Sequence, residues 1–232
     1  MATDFFFRRN LPHWRPPGVP LFITYCLSES LPQKALDELE RERQILINLS
    51  KDSATDQKVN IDKKLFAIWD QYLDKDNDKQ WLADPKIAKV IQENIYHHLG
   101  EKYLLWAYVI MPNHVHILLQ PTEKIERQFS AENNDKPYYG KDALSVILHS
   151  LRSYTANKAN KLLGRSGRFW HPEAYDHWVR NDDELHRIIY YIENNPVKAG
   201  LAKSPEDWHF SSAYARIKLG LGPFDKIPHN PC

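Results

Sequence analysis

The sequence predicts an α+β domain, an antiparallel sheet covered by helices, on three observations. Residues 21–27, LFITYCL, are rich in β-branched and aromatic side chains and predict a first strand. Two more apolar runs, 103–111 and 114–121, flank Pro112 and Asn113, a pair typical of turns, and predict a hairpin. Helical patterns alternate with these strands, which is typical of helices packed on a sheet.

Five segments have the spacing of apolar residues that predicts an amphipathic helix. They are residues 31–49, 61–74, 84–100, 142–164 and 182–196. Asp84 and Pro85 are start signals for the third, and Gly100 is a stop signal. The clearest is the fourth, where Asp142 suits an N-cap and Gly164 a C-terminal position. Pro196 is expected to end the last helix, and the chain from Leu201 onward to be mostly irregular.

The composition suits one domain over residues 1–232, with a helical insertion at about 31–100. Only two cysteines occur, Cys26 and Cys232, so we expect neither a disulfide framework nor a cysteine zinc site. The first ten residues do not resemble a signal peptide, and no apolar run reaches bilayer length, so we expect a cytoplasmic protein. The net charge of +1 does not by itself indicate nucleic acid.

Two histidines in the apolar run MPNHVHILL, His114 and His116, are the first candidate site. On a strand, residues i and i+2 face the same way, about 6.6 Å apart at the backbone. Two imidazoles in this arrangement can bind one divalent ion such as Mn²⁺, Mg²⁺ or Zn²⁺. Alternatively, both are ordinary histidines with separate polar partners. A histidine-triad hydrolase is disfavoured because Leu118 occupies the position of a third histidine.

Tyr154 is the candidate nucleophile, because the predicted apolar stripe of helix 142–164 includes it. An ordinary, partly buried tyrosine is the alternative. Residues 141–170 carry six basic side chains against one acidic, a charge balance that attracts phosphate backbones unless it is only a solvated face. Phe169 and Trp170 would stack on unpaired bases. A phenol beside a bound metal can attack a phosphodiester and form a covalent phosphotyrosine.

Three segments in this order resemble the HUH single-tyrosine transposases, and among them the REP-associated tyrosine transposases. They are VIMPNHVHILLQP, LRSYTANKANKLLGRSGRFW and YDHWVRNDDELHRIIYYIENNPVKAGL. The resemblance covers roughly residues 12–215. It implies an RRM-like or ferredoxin-like sheet and Mg²⁺- or Mn²⁺-dependent cleavage and rejoining of single-stranded DNA next to hairpins. A 5′-phosphotyrosine intermediate and a free 3′-hydroxyl would form, with DNA transposition or recombination as the outcome.

The resemblance assigns metal binding to His114 and His116 and the nucleophile to Tyr154. Relatives often place Gln, Asn or His four residues after the tyrosine as a third ligand. Here that position holds Lys158, so Asn157 is taken as the substitute. The residues expected to bind DNA are Arg152, Lys158, Lys161, Arg165, Arg168 and Trp170. We expect a monomer rather than a homodimer. A catalytically inactive protein that binds single-stranded DNA or hairpins is the competing interpretation, supported by Lys158.

Overall fold

A computed structural model describes residues 18–50, 64, 66–74, 79–128 and 143–229, and its centre is a four-stranded antiparallel sheet. The strands are β1 (Leu21–Leu27), β2 (Tyr103–Ile110), β3 (His114–Pro121) and β4 (Trp170–Trp178). Their order across the sheet is β2-β3-β1-β4. This is the order of a ferredoxin-like sheet, so the predicted α+β class is confirmed.

Seven helices surround the sheet in the described part of the chain. They are α1 (Gln33–Ser50), α2 (residues 66–73), α3 (Pro85–His97), α4 (Glu123–Gln128), α5 (Ala143–Leu162), α6 (Asp182–Lys198) and α7 (Ser212–Leu219). Helices α3 and α5 lie in the two crossovers, from β1 to β2 and from β3 to β4. Helices α1 and α2 lie between β1 and α3, so they are the additional helices. None of the described helices is long and apolar enough to cross a membrane.

The two faces of the sheet carry different helices, and this difference decides where the site lies. Helices α3 and α5 share a core with Ile23, Tyr25 and Ile117 on one face. Helix α6 packs on the other face, in a second cluster with Phe22 and Leu118. Because side chains alternate along a strand, His114 and His116 lie on the face of Leu118. The histidine pair therefore faces α6.

The local signals at two helices act as predicted. The Asp84 side chain accepts a hydrogen bond from the backbone N–H of Lys86 at 2.8 Å, with Pro85 in the first turn of α3. Gly164, two residues after α5, has φ +61°, a conformation that glycine adopts without strain. The N-cap predicted at Asp142 lies outside the described residues.

Three features of the second half of the chain differ from the sequence prediction. Pro196 does not end α6, which continues to Lys198, because a proline in the last turn removes only one helical hydrogen bond. Strand β4 was not predicted, because Pro172 and two acidic residues interrupt the apolar alternation expected of a strand. It lies at the edge of the sheet, where a proline is tolerated. The tail also contains α7, which begins at the N-cap Ser211 and ends at Gly220 in the left-handed conformation.

Candidate active site

Strand β3 places the two histidines side by side, as their spacing predicts. The Nε2 atoms of His114 and His116 lie 3.1 Å apart, and the ring centroids 4.6 Å apart. Both residues are almost fully buried, at 1% and 0% exposure. Phe66 of α2 and Tyr191 of α6 both lie against His116, so these two helices cover the pair.

A hydrogen-bond chain determines the tautomer of His114. The Asn113 side-chain nitrogen donates to the carbonyl oxygen of Leu73 at 2.9 Å, so the amide oxygen points the other way. That oxygen lies 2.6 Å from Nδ1 of His114. An amide oxygen only accepts, so Nδ1 carries the proton and Nε2 keeps a free lone pair. For His116, Nδ1 lies 2.7 Å from Oγ1 of Thr24. Each ring is held through Nδ1, which leaves both Nε2 atoms pointing towards each other.

Both imidazoles are held in the neutral form that can bind a metal. Burial, together with the neighbouring His116, holds the pKa of His114 well below its ordinary value. Burial and the charge of Lys198 lower the pKa of His116 to about 3. Two nitrogens that are each about 2.1 Å from one ion lie about 3.0–3.4 Å apart. The observed separation of 3.1 Å between the Nε2 atoms has this value.

Helix α6 places Tyr191 and Asn195, one turn apart, against the histidine pair. Asn181 caps the helix, and the stripe of Leu185, Ile189 and Ile192 anchors it to the sheet. The Tyr191 hydroxyl and the Asn195 side-chain nitrogen each lie 3.4 Å from Nε2 of His116. Burial and the nearby Asp70 raise the pKa of Tyr191, so the phenol is protonated at neutral pH.

Asn195 supplies a third atom that suits a metal ion. Its side-chain oxygen is buried and accepts no hydrogen bond from any described residue. Rotating the amide by a half-turn would direct that oxygen towards His116, in place of the nitrogen. Within the described residues, no cluster of three or more His, Cys, Asp or Glu side chains could hold a metal. The atoms at the pair that could bind a divalent ion are two imidazole nitrogens and, after rotation of the amide, the oxygen of Asn195.

Asp70 of α2 lies within the site, and no sequence signal indicated it. Its Oδ1 accepts a hydrogen bond from the Tyr191 hydroxyl, and its Oδ2 lies 2.9 Å from Nζ of Lys198. Lys198 also contacts Asp74 at 2.7 Å. Burial lowers the pKa of Lys198, but its hydrogen bonds to Asp74 and Asp70 outweigh burial and hold the pKa above the ordinary value. The tyrosine is thus linked to a charged network.

The structure does not bring Tyr154 to the histidine pair, so the location predicted for it was wrong. Helix α5 covers the opposite face of the sheet, and Tyr154 is 55% exposed. From Leu151 the buried stripe continues through Thr155 and Ala159, which are small residues. The predicted stripe was assigned from large apolar side chains. It therefore included Tyr154 and left out Thr155, which is the buried residue.

The structure also does not bring the third ligand predicted after Tyr154, Asn157, to the histidine pair. Asn157 and Lys158 are both exposed on α5, away from the face that carries the pair. The spacing described for relatives, a tyrosine followed four residues later by Gln, Asn or His, occurs at Tyr191 and Asn195. Applying that spacing to every tyrosine in the chain would have found two adjacent pairs, this one and Tyr190 with Asn194, and the structure places only Tyr191 and Asn195 at the histidines.

Three of the residues predicted to bind DNA serve internal contacts instead. Trp170 is 4% exposed, packs on Tyr25 and donates from Nε1 to Oγ1 of Thr155 at 3.0 Å, so it cannot stack on a base. The Arg152 guanidinium donates to the carbonyl oxygens of His171 and Pro172. Arg165 lies over the ring of Trp81 at 4.0 Å. Phe169, expected to stack beside Trp170, is also buried.

The remaining basic candidates, Lys158, Lys161 and Arg168, are exposed. The backbone oxygen of Arg168 accepts a hydrogen bond from Oγ of Ser28 at 2.8 Å. Ser28 directly follows β1, whose Cys26 is the register partner of His114. Arg168 therefore lies at the end of the sheet where β3 begins with the histidine pair.

Comparison with known proteins gives two relatives by sequence. The chain is 27% identical over 124 residues to a protein of Haemophilus influenzae whose name places it among the REP-associated tyrosine transposases. It is 38% identical over 56 residues to the REP-associated tyrosine transposase of Escherichia coli. The resemblance to this family is confirmed. The matches cover 51% and 24% of this chain, but only 64% and 34% of those REP-associated tyrosine transposases, less than two thirds of either.

A solved structure shows the same fold. It is described as a REP-associated tyrosine transposase bound to a REP hairpin. It aligns with 92% of this chain and 87% of its own, with a TM-score of 0.52 and 18% identity. No family model matches the chain. The comparison with that REP-associated tyrosine transposase therefore concerns the arrangement of helices and strands.

Proposed function

We propose that this protein cleaves and rejoins single-stranded DNA next to hairpins, with Tyr191 as the nucleophile. The observation that carries the proposal is the convergence of Tyr191, Asn195 and the histidine pair. The Tyr191 hydroxyl and the Asn195 amide each lie 3.4 Å from Nε2 of His116. The names of the sequence relatives and of the hairpin-bound neighbour support DNA hairpins as the substrate.

In the proposed reaction, the phenolic oxygen of Tyr191 attacks a backbone phosphorus atom. A bond forms between that oxygen and phosphorus, and the bond from phosphorus to the 3′ oxygen of the upstream nucleotide breaks. The phenol loses its proton and the departing 3′ oxygen gains one, which leaves a 5′-phosphotyrosine and a free 3′-hydroxyl. Because the phosphoester bond is retained on the protein, attack by a 3′-hydroxyl reverses the step and rejoins the strand.

His114, His116 and Asn195 are the residues that would hold a divalent ion such as Mg²⁺ or Mn²⁺. Such an ion would polarise the non-bridging phosphate oxygens and neutralise their charge. The protein contributes orientation, because Asn113 and Thr24 each hold one imidazole through its Nδ1 atom. Burial of both rings keeps them unprotonated.

The exposed basic residues near the start of β3 are the proposed contacts to the DNA backbone. Arg168 lies at this end of the sheet, as its bond to Ser28 indicates. Lys158 and Lys161 are exposed on the last turns of α5, which lead to the same loop. Contacts of this type supply affinity without sequence specificity.

The main argument for the alternative, a catalytically inactive DNA-binding protein, does not apply to Tyr191. It rested on Lys158, a lysine that cannot bind a metal while protonated, in the position of the third ligand. With Tyr191 as the nucleophile, the residue four positions later is Asn195, whose amide oxygen can bind a metal. The enzymatic proposal therefore fits the residues of the site better.

Covalent trapping tests this proposal. A labelled hairpin oligonucleotide with a single-stranded flank is incubated with Mn²⁺ and then resolved on a denaturing gel. The wild-type protein should form a protein–DNA adduct, and Tyr191→Phe should not, because it lacks the attacking oxygen. Tyr190→Phe is the matched control, since Tyr190 is adjacent on α6 but 69% exposed.

Tyr154→Phe distinguishes the two candidate nucleophiles. It should form the adduct as the wild type does, because α5 lies on the other face of the sheet. Loss of the adduct in Tyr154→Phe together with its retention in Tyr191→Phe would contradict the proposal. Absence of any adduct in the wild type with Mn²⁺ or Mg²⁺ would support a binding protein instead.

A further inference from the structure

Helix α2 is one of the two additional helices between β1 and α3, and it forms one wall of the site. The ring centroid of Phe66 lies 6.3 Å from that of His116 and 5.7 Å from that of Tyr191. Asp70 follows Phe66 by four residues, so both side chains lie on the same face of α2. Asp70 is only 7% exposed.

The two oxygens of Asp70 have separate partners on α6. Oδ1 accepts a hydrogen bond from the Tyr191 hydroxyl, and Oδ2 accepts one from Lys198 at 2.9 Å. The distance from Oδ1 to Nε2 of His116 is 3.8 Å, too long for a hydrogen bond. The closest interaction of this carboxylate with the site is therefore with the tyrosine.

Contacts on both sides hold α2 in place. Asn113, which fixes His114, also donates to the carbonyl oxygen of Leu73 at 2.9 Å. Lys198 of α6 contacts Asp70 itself at 2.9 Å. Trp69 and Leu73 are buried in a third apolar cluster with Cys26. Asp70 is therefore fixed relative to both β3 and α6, the two elements that carry the proposed site.

The direction of the Asp70 hydrogen bond matters for the chemistry of Tyr191. The hydroxyl hydrogen points at Asp70, so the lone pairs of the phenolic oxygen point elsewhere and are available for attack. An unheld tyrosine side chain would rotate about two bonds. Misplacing a reacting atom by about 1 Å can reduce a rate by about 100-fold.

We propose that Asp70 is a positioning residue that holds the Tyr191 hydroxyl beside the histidine pair. This inference rests on the proposed role of Tyr191 as the nucleophile. It makes α2, one of the two additional helices between β1 and α3, part of the site.

Asp70→Ala tests this role, with Asp74→Ala as the matched control. Asp74 directly follows α2, four residues after Asp70, and also contacts Lys198, whereas the Tyr191 hydroxyl donates to Asp70. Single-turnover cleavage of saturating hairpin oligonucleotide should slow by about 10- to 100-fold in Asp70→Ala, because the nucleophile is no longer held. Affinity for the oligonucleotide should be unchanged, and Asp74→Ala should cleave at close to the wild-type rate.

A spectroscopic measurement tests the contact without DNA or metal. In protein labelled with ¹³C at tyrosine Cζ, the Tyr191 resonance is assigned by its loss in Tyr191→Phe. That resonance should shift in Asp70→Ala and not in Asp74→Ala. If Asp70→Ala fails to fold, Asp70→Asn replaces it: its shape is preserved, and its neutral oxygen is a weaker acceptor that should still shift the resonance.

Two outcomes would overturn the positioning role: an unshifted Tyr191 resonance, or cleavage by the Asp70 variants at or above the wild-type rate. The nucleophile assignment fails in a different way, through an adduct that persists in Tyr191→Phe. If the Asp70 variants cleave at the wild-type rate and Tyr191→Phe forms no adduct, Tyr191 remains the nucleophile and only the role of Asp70 is excluded.

Discussion

The Asn195 side chain lies 3.4 Å from Nε2 of His116, although 79 residues separate the two in the chain. The contact requires α6 to pack on the face of β3 that carries the histidines. Because the amide oxygen accepts no hydrogen bond from a described residue, turning it towards a metal breaks no hydrogen bond to that oxygen. The first prediction follows from this relationship.

Asn195→Ala should weaken binding of Mn²⁺ by about 10- to 100-fold, because one of three donor atoms is lost. Isothermal titration calorimetry measures the affinity. Asn194→Ala is the control, since Asn194 donates to the backbone oxygen of Tyr190 within α6. Asn157→Ala should also bind Mn²⁺ normally because Asn157 is exposed on the other side of the sheet. Equal affinities in all three variants would exclude Asn195 as a ligand.

The stability of the metal-free protein should fall as pH is lowered from about 6.5, the ordinary pKa of histidine. The unfolded chain binds protons in this range, whereas burial keeps folded His116 neutral down to a pKa of about 3. The stabilisation that comes from keeping a buried histidine neutral is therefore complete above about pH 6.5. It is lost as the pH falls from there towards about 3, by at most about 1.4 kcal/mol per pH unit for each such histidine.

Urea unfolding with a chelator at pH 7.5 and pH 5.5 measures this loss. His116→Gln removes one titrating group, so the difference between the two pH values should be smaller than in the wild type. His149→Gln, at an exposed position on α5, should retain the full difference. An identical pH dependence in His116→Gln would show that His116 does not contribute.

Trp170→Ala should destabilise the fold by about 3–5 kcal/mol, because it leaves a large cavity in a packed core. The indole is 4% exposed and packs against Tyr25. Trp170→Phe should be milder, since it keeps most of the volume and loses the bond to Thr155. Denaturant unfolding checks the order. A variant with native stability and weak DNA binding would restore the predicted stacking role.

Arg168→Ala should weaken binding of all hairpin oligonucleotides alike and reduce the salt dependence of log K by about one, since one phosphate contact is lost. Arg127→Ala is the control. Arg127 lies on α4, which follows the opposite end of β3, and pairs with Glu123 at 2.8 Å. Fluorescence anisotropy over a range of salt concentrations measures the slope. Equal salt dependence for Arg168→Ala and Arg127→Ala would show that Arg168 does not contact the DNA backbone.

The histidine pair could be predicted from sequence because a strand has a period of two residues. His114 and His116 share a face whatever the rest of the fold does. The hairpin and the end signals of α3 were predictable for a similar reason, since they depend on neighbouring residues such as Pro112 and Asp84.

The choice of tyrosine could not be made from the helical pattern alone. A hydrophobic stripe shows that a helix is buried on one side, but it does not show which face of the sheet it covers. Tyr154 and Tyr191 both lie on helices that pack on this sheet, and only tertiary structure places one of them beside His116. The place of Asp70 in the site could not be predicted either, because Asp70 and Tyr191 are 121 positions apart in the sequence.

The segment between β1 and α3 limits how far this protein can be shortened. A chain that joined Ser28 directly to the residues before α3 would keep the four strands and both crossovers. It would also uncover Cys26, which is now fully buried against Trp69 and Leu73 in the third cluster. A thiol and an apolar patch would then face solvent beside the histidines, so a trimmed version would need compensating polar substitutions to stay free of oxidation and aggregation.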